Sequence, residues 1–385
     1  MTVEHESDQL HERVRAFADS EGAATESFDG LALEIAQYQA RWIPGFRRLV
    51  DGAGVTLDSV HSVPAVPCDA FRLARVAAHS PELDAVRFWT SGTTAIPGIH
   101  PLRSTRTYRA LAIRMGARVL VSAWPGRRVV VALAPHPGSP PTSSLGFMMR
   151  IFMEAFDGRA LTRDPTGAAF DPDAPSRWLA SSGGVDVAGL RRAALLARDR
   201  REPLLVLTTA FALVLLLDAL SGARLPAPRR TVVMQTGGFK GHTRAVAPDR
   251  LRAATARAFR IPKEQVVGEY GMTELSSQLY EGGPPGSHLL GEAGVYLEPP
   301  WLRVIPVDPV TFLPVPDGQV GLARIVDLAN VDSALVILTQ DLVRRRGAGV
   351  ELVGRRRGAP ARGCSLGVEA LVSASAGWRT GGVGW

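Results

Sequence analysis

The run Gly268-Glu269-Tyr270-Gly271-Met272-Thr273-Glu274-Leu275-Ser276-Ser277-Gln278-Leu279-Tyr280 follows a short apolar segment that begins at Gln265. An apolar, β-branched stretch of that length reads as a buried strand, and the glycine after Tyr270 reads as its turn. An aromatic, a glycine, a hydroxyl and a carboxylate then fall within Tyr270 to Glu274. A strand end of that composition can hold a base against the aromatic and a phosphate against the hydroxyl. It leaves the carboxylate for a divalent cation. The expectation is a nucleotide-dependent activating enzyme.

Working outward, Arg128–Ala134, Leu204–Leu207, Thr231–Gln235 and Gln265–Tyr270 read as strands. Phe211–Leu220 and Pro248–Phe259 read as helices between them, with further helices over Leu31–Trp42 and Thr105–Trp124. Strands alternating with helices predict a parallel sheet covered on both faces. Beyond Trp301, the stretches Trp301–Pro306, Gln319–Val326 and Ala334–Thr339 read as strands joined by Pro, Gly and Asp turns. They predict a smaller, antiparallel β-rich region packed on the α/β body.

At 385 residues, 46% hydrophobic and 21% charged, the chain can bury a full core. Of 44 basic residues only Lys240 and Lys263 are lysines, and the arginines are scattered. No aromatic-interleaved basic stripe or nucleic-acid-binding module is present, so no nucleic-acid partner is expected. The runs Arg344–Arg346 and Arg355–Arg357 can attract phosphates or coat a solvated surface. Cys68 and Cys364 lack metal-ligand spacing, and the acidic, polar N-terminus is no signal peptide. Leu204–Leu217 is too short to span a bilayer. The expectation is a cytoplasmic protein with no membrane span.

Three further segments carry candidate chemistry. Thr90-Ser91-Gly92-Thr93-Thr94 clusters hydroxyls around a glycine after the strand-like Ala85–Thr90, a loop that can wrap phosphates or form an ordinary turn. Gln235-Thr236-Gly237-Gly238-Phe239-Lys240-Gly241 follows a strand; its glycines let backbone approach a flat ligand, and Lys240 adds a point charge. Asp341 stands at a strand end, where a carboxylate can accept ribose hydroxyls, and Glu351–Arg355 is another strand ending in a charge.

These segments, in this order, resemble the adenylate-forming superfamily, and most closely its acyl-protein synthetases of the LuxE type. The resemblance rests on TSGTT at 90–94, SSLGFMM at 143–149, QTGGFKG at 235–241 and EYGMTELSSQLY at 269–280. DLANVDSALVILTQDL at 327–342 and ELVGRRRGAPARGCSL at 351–366 extend it over residues 60 to 370. It implies the large N-terminal domain of an adenylate-forming enzyme over 1–342, with the C-terminal lid truncated to an arm over 343–385. It implies ATP and Mg²⁺ as cofactors, and activation of a fatty acid, long-chain by the family's habit, to an acyl-adenylate. Thr90, Ser91, Gly92, Thr93 and Thr94 would hold the β- and γ-phosphates. Gly237, Gly238 and Tyr270 would frame the adenine, Gly271 and Met272 would bind the nucleotide beside them, and Asp341 would bind the ribose with Arg355 nearby. Thr273 would touch the α-phosphate, Glu274 would hold Mg²⁺, and Lys240 would stabilise a carboxylate or phosphate. Cys364 would accept the acyl group as a thioester, helped by the surrounding arginines, and pass it to an acyl reductase partner in a homo- or hetero-oligomer. Cys68 reads as structural. The acid's pocket is expected between Pro135 and Phe170.

The sequence departs from the family pattern in places. The glycine usual after SGTT is Ala95, a change worth about 1 kcal/mol if the backbone there needs positive φ. No lysine follows Lys263, which argues against a complete CoA ligase, and Ser373–Trp385 matches nothing in the pattern. An acyl- or aryl-CoA ligase, a carrier-protein-directed adenylation enzyme and a catalytically dead scaffold are the alternatives.

Overall fold

Alternation along the apolar strands sorts the core into two. In the computed structural model, which describes residues 2–20, 26–90, 96–138, 141–156, 171–181, 184–237 and 246–356, Val130, Ala132, Leu205, Leu207, Val232, Met234 and Val267 face one cluster. Their neighbours Val129, Val131, Leu133, Leu204, Val206, Val233 and Val266 face the other. Side chains on a strand point to opposite faces in turn, so strands apolar at every position must be covered on both sides.

The elements run in the order α1 (Val3–Asp19), α2 (Phe28–Trp42), α3 (Pro44–Ala53), β1 (Val66–Pro67), α4 (Ala70–Leu73), β2 (Val86–Trp89), β3 (Ile99–Leu102), α5 (Arg106–Gly116), β4 (Val129–Leu133) and α6 (Ser144–Phe156). They continue with β5 (Ala180–Ser181), β6 (Gly184–Val185), α7 (Val187–Asp199), β7 (Leu204–Thr209), α8 (Ala210–Leu220), β8 (Thr231–Thr236), α9 (Pro248–Phe259) and β9 (Val266–Tyr270). The last strands are β10 (Leu279–Tyr280), β11 (Val295–Leu297), β12 (Leu302–Val307), β13 (Val320–Asp327), β14 (Val336–Arg346) and β15 (Gly349–Arg355). α1, α2, α5 and α6 bury their apolar stripes in the first cluster, whereas α7, α8 and α9 cover the opposite face. α8 (AFALVLLLDAL) starts directly from β7: Thr209 ends the strand, and its hydroxyl accepts the Ala212 N–H at 3.1 Å as the helix cap. Among the described residues no helix is long and apolar enough to cross a membrane.

β4, β7, β8 and β9 pair in that order, all parallel, as the alternating pattern predicts. The antiparallel strands differ from expectation in how they attach. They do not form a region of their own: β10, β11, β15, β14, β13 and β12 continue the same sheet edge to edge from β9. β14 spans 342 and 343 and pairs with β15, with a shift of register between Leu342 and Val343. The hairpin β2–β3 stands apart as a two-stranded sheet, and the helix expected through Trp124 gives way after Gly116 to a π-turn over Ala117–Val121.

The arginine run Arg344–Arg346 is paired with glutamates. Arg344 pairs with Glu351 at 2.6 Å, Arg345 with Glu298 at 2.7 Å, and Arg346 with Glu292. The positive field that the sequence suggested from 344–346 is offset within the fold by carboxylates more than forty residues upstream in two of the three cases.

Candidate active site

The carboxyl ends of parallel strands are where open α/β sheets bind ligands, because loops and helix starts converge there. Here β8 ends at Thr236 and is followed by Gly237 at φ +73°, a conformation that suits glycine. β9 ends beside it at Tyr270, with Thr236 and Glu269 in register.

Tyr270 meets the far part of the sheet. Its hydroxyl donates to Asp341 Oδ2 at 2.8 Å, and Arg355 Nε lies 2.9 Å from Asp341 Oδ1. Burial and the neighbouring carboxylate push the Tyr270 phenol up, so it stays a donor. Asp341 and Arg355 are paired across β14 and β15. Three residues separated by up to 85 positions in sequence therefore form one chain of contacts. The Tyr270 ring also meets Tyr296 edge-on, centroids 6.2 Å apart.

The segment after Tyr270 is irregular, and its shape is imposed from outside. His100 Nδ1 donates to the Thr273 carbonyl at 2.7 Å. Burial drops the His100 imidazole to about 4, so it is neutral, with the proton on Nδ1. Asn330 Nδ2 donates to the Glu274 carbonyl at 2.9 Å. Asp327 takes the Ser276 N–H at 3.0 Å, the Ser277 hydroxyl at 2.6 Å and the Ala329 N–H at 3.0 Å. Trp301 Nε1 donates to Ser277 Oγ at 3.1 Å from behind. Ser144, at the start of α6, brings its hydroxyl to 3.5 Å from the Thr273 hydroxyl. Thr273 and Glu274 are thus fixed from β3, α6 and the end of β13, and the Glu274 side chain is 2% exposed.

Beneath this rim β9 is held by a buried ion pair. Glu281 accepts two bonds from Arg252, at 2.6 and 2.7 Å, and one each from the Gly268 and Gly294 N–H groups at 2.7 Å. Every carboxylate oxygen is thereby satisfied, the condition under which a buried pair holds a geometry.

Other expected residues fall as follows. Thr90 closes the neck of the β2–β3 loop: its hydroxyl accepts the Gly98 N–H at 2.7 Å, and its own N–H donates to the Gly98 carbonyl at 2.8 Å. A Cβ at Gly98 would stand a tight 3.1 Å from the Thr90 side chain, so the two strands approach closely there. The hairpin is tied to the Thr273 segment through His100. Ser91, Gly92, Thr93, Thr94, Ala95, Gly238, Lys240 and Cys364 lie outside the described residues. Cys68 is buried in the main core, its N–H donating to the Leu338 carbonyl at 3.1 Å. Among the described residues no group of three or more His, Cys, Asp or Glu could hold a metal by itself.

Sequence reading did not single out His100, Ser144, Asp327 or Asn330 as site residues. Asp327 and Asn330 lie within the DLANVDSALV motif, which was the available signal. His100 had none.

Glu269 was also passed over. It is 4% exposed, and burial raises its carboxyl to about 7 against the hydrogen bond from Thr236. A carboxyl raised in the folded state lowers stability above its folded pKa, and that penalty fades as pH falls through 7 towards 4.5. Glu269→Gln is therefore expected to stabilise the protein by about 3 kcal/mol at pH 8. The difference should vanish near pH 4, as read by denaturant unfolding at both values. A pH-independent difference would contradict the assignment.

The fold of the described residues, a sheet of parallel strands continued by antiparallel ones, is shared with solved proteins. The 2-hydroxyisobutyryl-CoA ligase in its postadenylation state, in complex with 2-HIB-AMP, aligns with 88% of this chain and 70% of its own, at a TM-score of 0.59 and 15% identity. The fold is that of the adenylate-forming ligases. The same ligase in the thioesterification state, with 2-HIB-AMP and CoA, gives a TM-score of 0.58 and 17% identity over 89% of this chain and 67% of that one. In sequence, a relative is the long-chain-fatty-acid–luciferin-component ligase of Vibrio harveyi, 27% identical over 155 residues. That match spans 38% of this chain and 39% of the relative's length. No protein-family profile matches.

Proposed function

We propose that the protein activates a carboxylic acid with ATP, forming an acyl-adenylate and pyrophosphate, and then transfers the acyl group to a thiol. The observation that carries this reading is the meeting of Tyr270, Asp341 and Arg355 beside the fixed Thr273–Glu274 segment, in an adenylate-forming fold. A carboxylate oxygen of the acid attacks the α-phosphorus, and the bond to the β-phosphate oxygen breaks. AMP is then the leaving group when sulfur attacks the acyl carbon. Tyr270, Gly271, Met272, Gly237 and Gly238 frame the base, and Asp341, turned from Tyr270, accepts the ribose hydroxyls with Arg355 holding its other oxygen. Thr273 donates to the α-phosphate, while residues 90–94 hold the outer phosphates and Lys240 a carboxylate or phosphate. The buried Glu274 carboxylate, together with nucleotide oxygens, would hold Mg²⁺, which would supply neutralisation of phosphate charge.

The name of the Vibrio harveyi relative supports a long-chain fatty acid as the substrate, and the ARGCSL motif at 361–366 supports Cys364 as the thiol that carries it to a reductase. The likeness to a CoA ligase favours CoA as the alternative acceptor. Incubation with labelled fatty acid and ATP, without CoA, is expected to leave hydroxylamine-sensitive label on the protein. Cys364→Ser should remove at least nine-tenths of it, on the order of a tenfold loss or more. Equal labelling of both proteins rules out Cys364, and labelling seen only on added CoA selects the CoA ligase.

A further inference from the structure

The connection between β13 and β14, residues 328–335, is buried along its whole length. Connections ordinarily run over the surface, where water satisfies their backbone. This one has to draw its hydrogen bonds from neighbouring side chains. Several come from α1 and α2, which end before residue 60, where the family resemblance begins. Gln39, wholly buried on α2, donates from Nε2 to the Asn330 carbonyl at 2.7 Å and to the Val331 carbonyl at 2.9 Å. Its Oε1 accepts the Leu335 N–H at 3.0 Å, so one side chain ties the two limbs of the connection together. Beside it the Tyr38 hydroxyl donates to Asp332 Oδ1 at 2.7 Å, and His11 Nε2 of α1 lies 3.1 Å from Asp332 Oδ2.

The other side of the same connection faces the strand end. Asn330 Nδ2 donates to two carbonyls, those of Ala334 and Glu274, each at 2.9 Å. The Asn330 N–H donates to the Asp327 carbonyl at 3.0 Å, and the Asp327 carboxylate holds Ser276 and Ser277. Gln39 thus fixes the main chain of Asn330, while the Asn330 side chain fixes the main chain of Glu274. Two hydrogen bonds in series link the interior of α2 to the carboxylate assigned to the cation. Partners that orient a metal-holding group from behind typically contribute about 10–100-fold to metal affinity or activity.

We infer that Gln39 is a positioning residue for the activation step: α2 braces the 328–335 connection so that Asn330 keeps the Glu274 main chain in place. The inference rests on the adenylation reading and adds to it a helix that carries none of the adenylation motifs.

The test replaces Gln39 by methionine, which keeps the length of the side chain and removes its polar atoms. In folded Gln39→Met the Mg²⁺ concentration that half-saturates acid-dependent ATP–pyrophosphate exchange is expected to rise by about 10-fold or more. Amide hydrogen exchange over 271–280, measured without nucleotide or Mg²⁺, is expected to quicken by about 10-fold or more. Ile35→Ala is the control: it opens a cavity on the same buried face of α2 and leaves the Gln39 hydrogen bonds in place, so both readouts should keep the parent's values. If Gln39→Met does not fold, Tyr38→Phe carries the test. It removes one hydroxyl from Asp332 and should shift both readouts in the same direction by less, and parent values there would overturn the inference. Parent values of either readout in Gln39→Met, or equal shifts in Ile35→Ala, overturn the inference while adenylation stands. No exchange by the parent with any carboxylic acid overturns the adenylation reading, and the part of Gln39 in activation with it.

Discussion

Glu274→Ala is expected to lower acid-dependent ATP–pyrophosphate exchange by about 10³-fold, with the unfolding transition close to that of the parent. The loss follows from the proposed role: a carboxylate that holds the cation against the departing pyrophosphate stabilises charge mainly in the transition state, where such groups contribute on the order of 10²–10³-fold. The retained fold follows from what shapes the segment. The Glu274 backbone is held by Asn330, and the residues after it by Asp327, and these anchors remain when the side chain is cut back. Exchange kinetics alongside thermal unfolding separate the two effects. An unfolded Glu274→Ala protein would mean that the buried side chain is structural.

Asp327→Ala should do the opposite, damaging structure first. Asp327 is wholly buried, and three donors from Ser276, Ser277 and Ala329 converge on its carboxylate. Burial pushes that carboxyl up to about 6, and the Ser277 and backbone hydrogen bonds offset part of the shift. Alanine leaves buried N–H groups without acceptors, at about 1–3 kcal/mol each, and relieves one buried charge, so a net loss of about 3 kcal/mol is expected. Urea unfolding reads it directly. Exchange should fall as well, because Thr273 and Glu274 lose the anchor that follows them. A variant as stable as the parent would remove Asp327 from the account.

The contrast between these residues shows what the sequence could reveal. Tyr270, Thr273 and Glu274 were legible because their residue types lie side by side at the end of a strand whose apolar run is itself legible. Val129–Leu133, Leu204–Thr209 and Thr231–Thr236 were legible for the same reason: burial on both faces writes a continuous apolar pattern. Pairing is another matter. That β14 and β15 continue the sheet of β9, and so return Asp341 and Arg355 to Tyr270, depends on strands brought together from distant segments, which no local pattern records. The clamps were hidden likewise. His100 and Asp327 act on backbone groups of Thr273 and Ser276, and a donor reaching a carbonyl 173 positions away leaves no spacing to find. Local charge counting could not decide the role of Arg344–Arg346, because two of their three glutamates, Glu292 and Glu298, flank β11.

The central claim is that this strand end joins an acid to AMP. Isotope exchange between labelled pyrophosphate and ATP tests it most directly, since the label returns to ATP only if an adenylate forms reversibly on the protein. Exchange is predicted with Mg²⁺ and a carboxylic acid such as a long-chain fatty acid, absent when the acid is omitted, and lost in Glu274→Ala. Exchange that persists in Glu274→Ala, or none with any acid in a folded protein, would contradict the account.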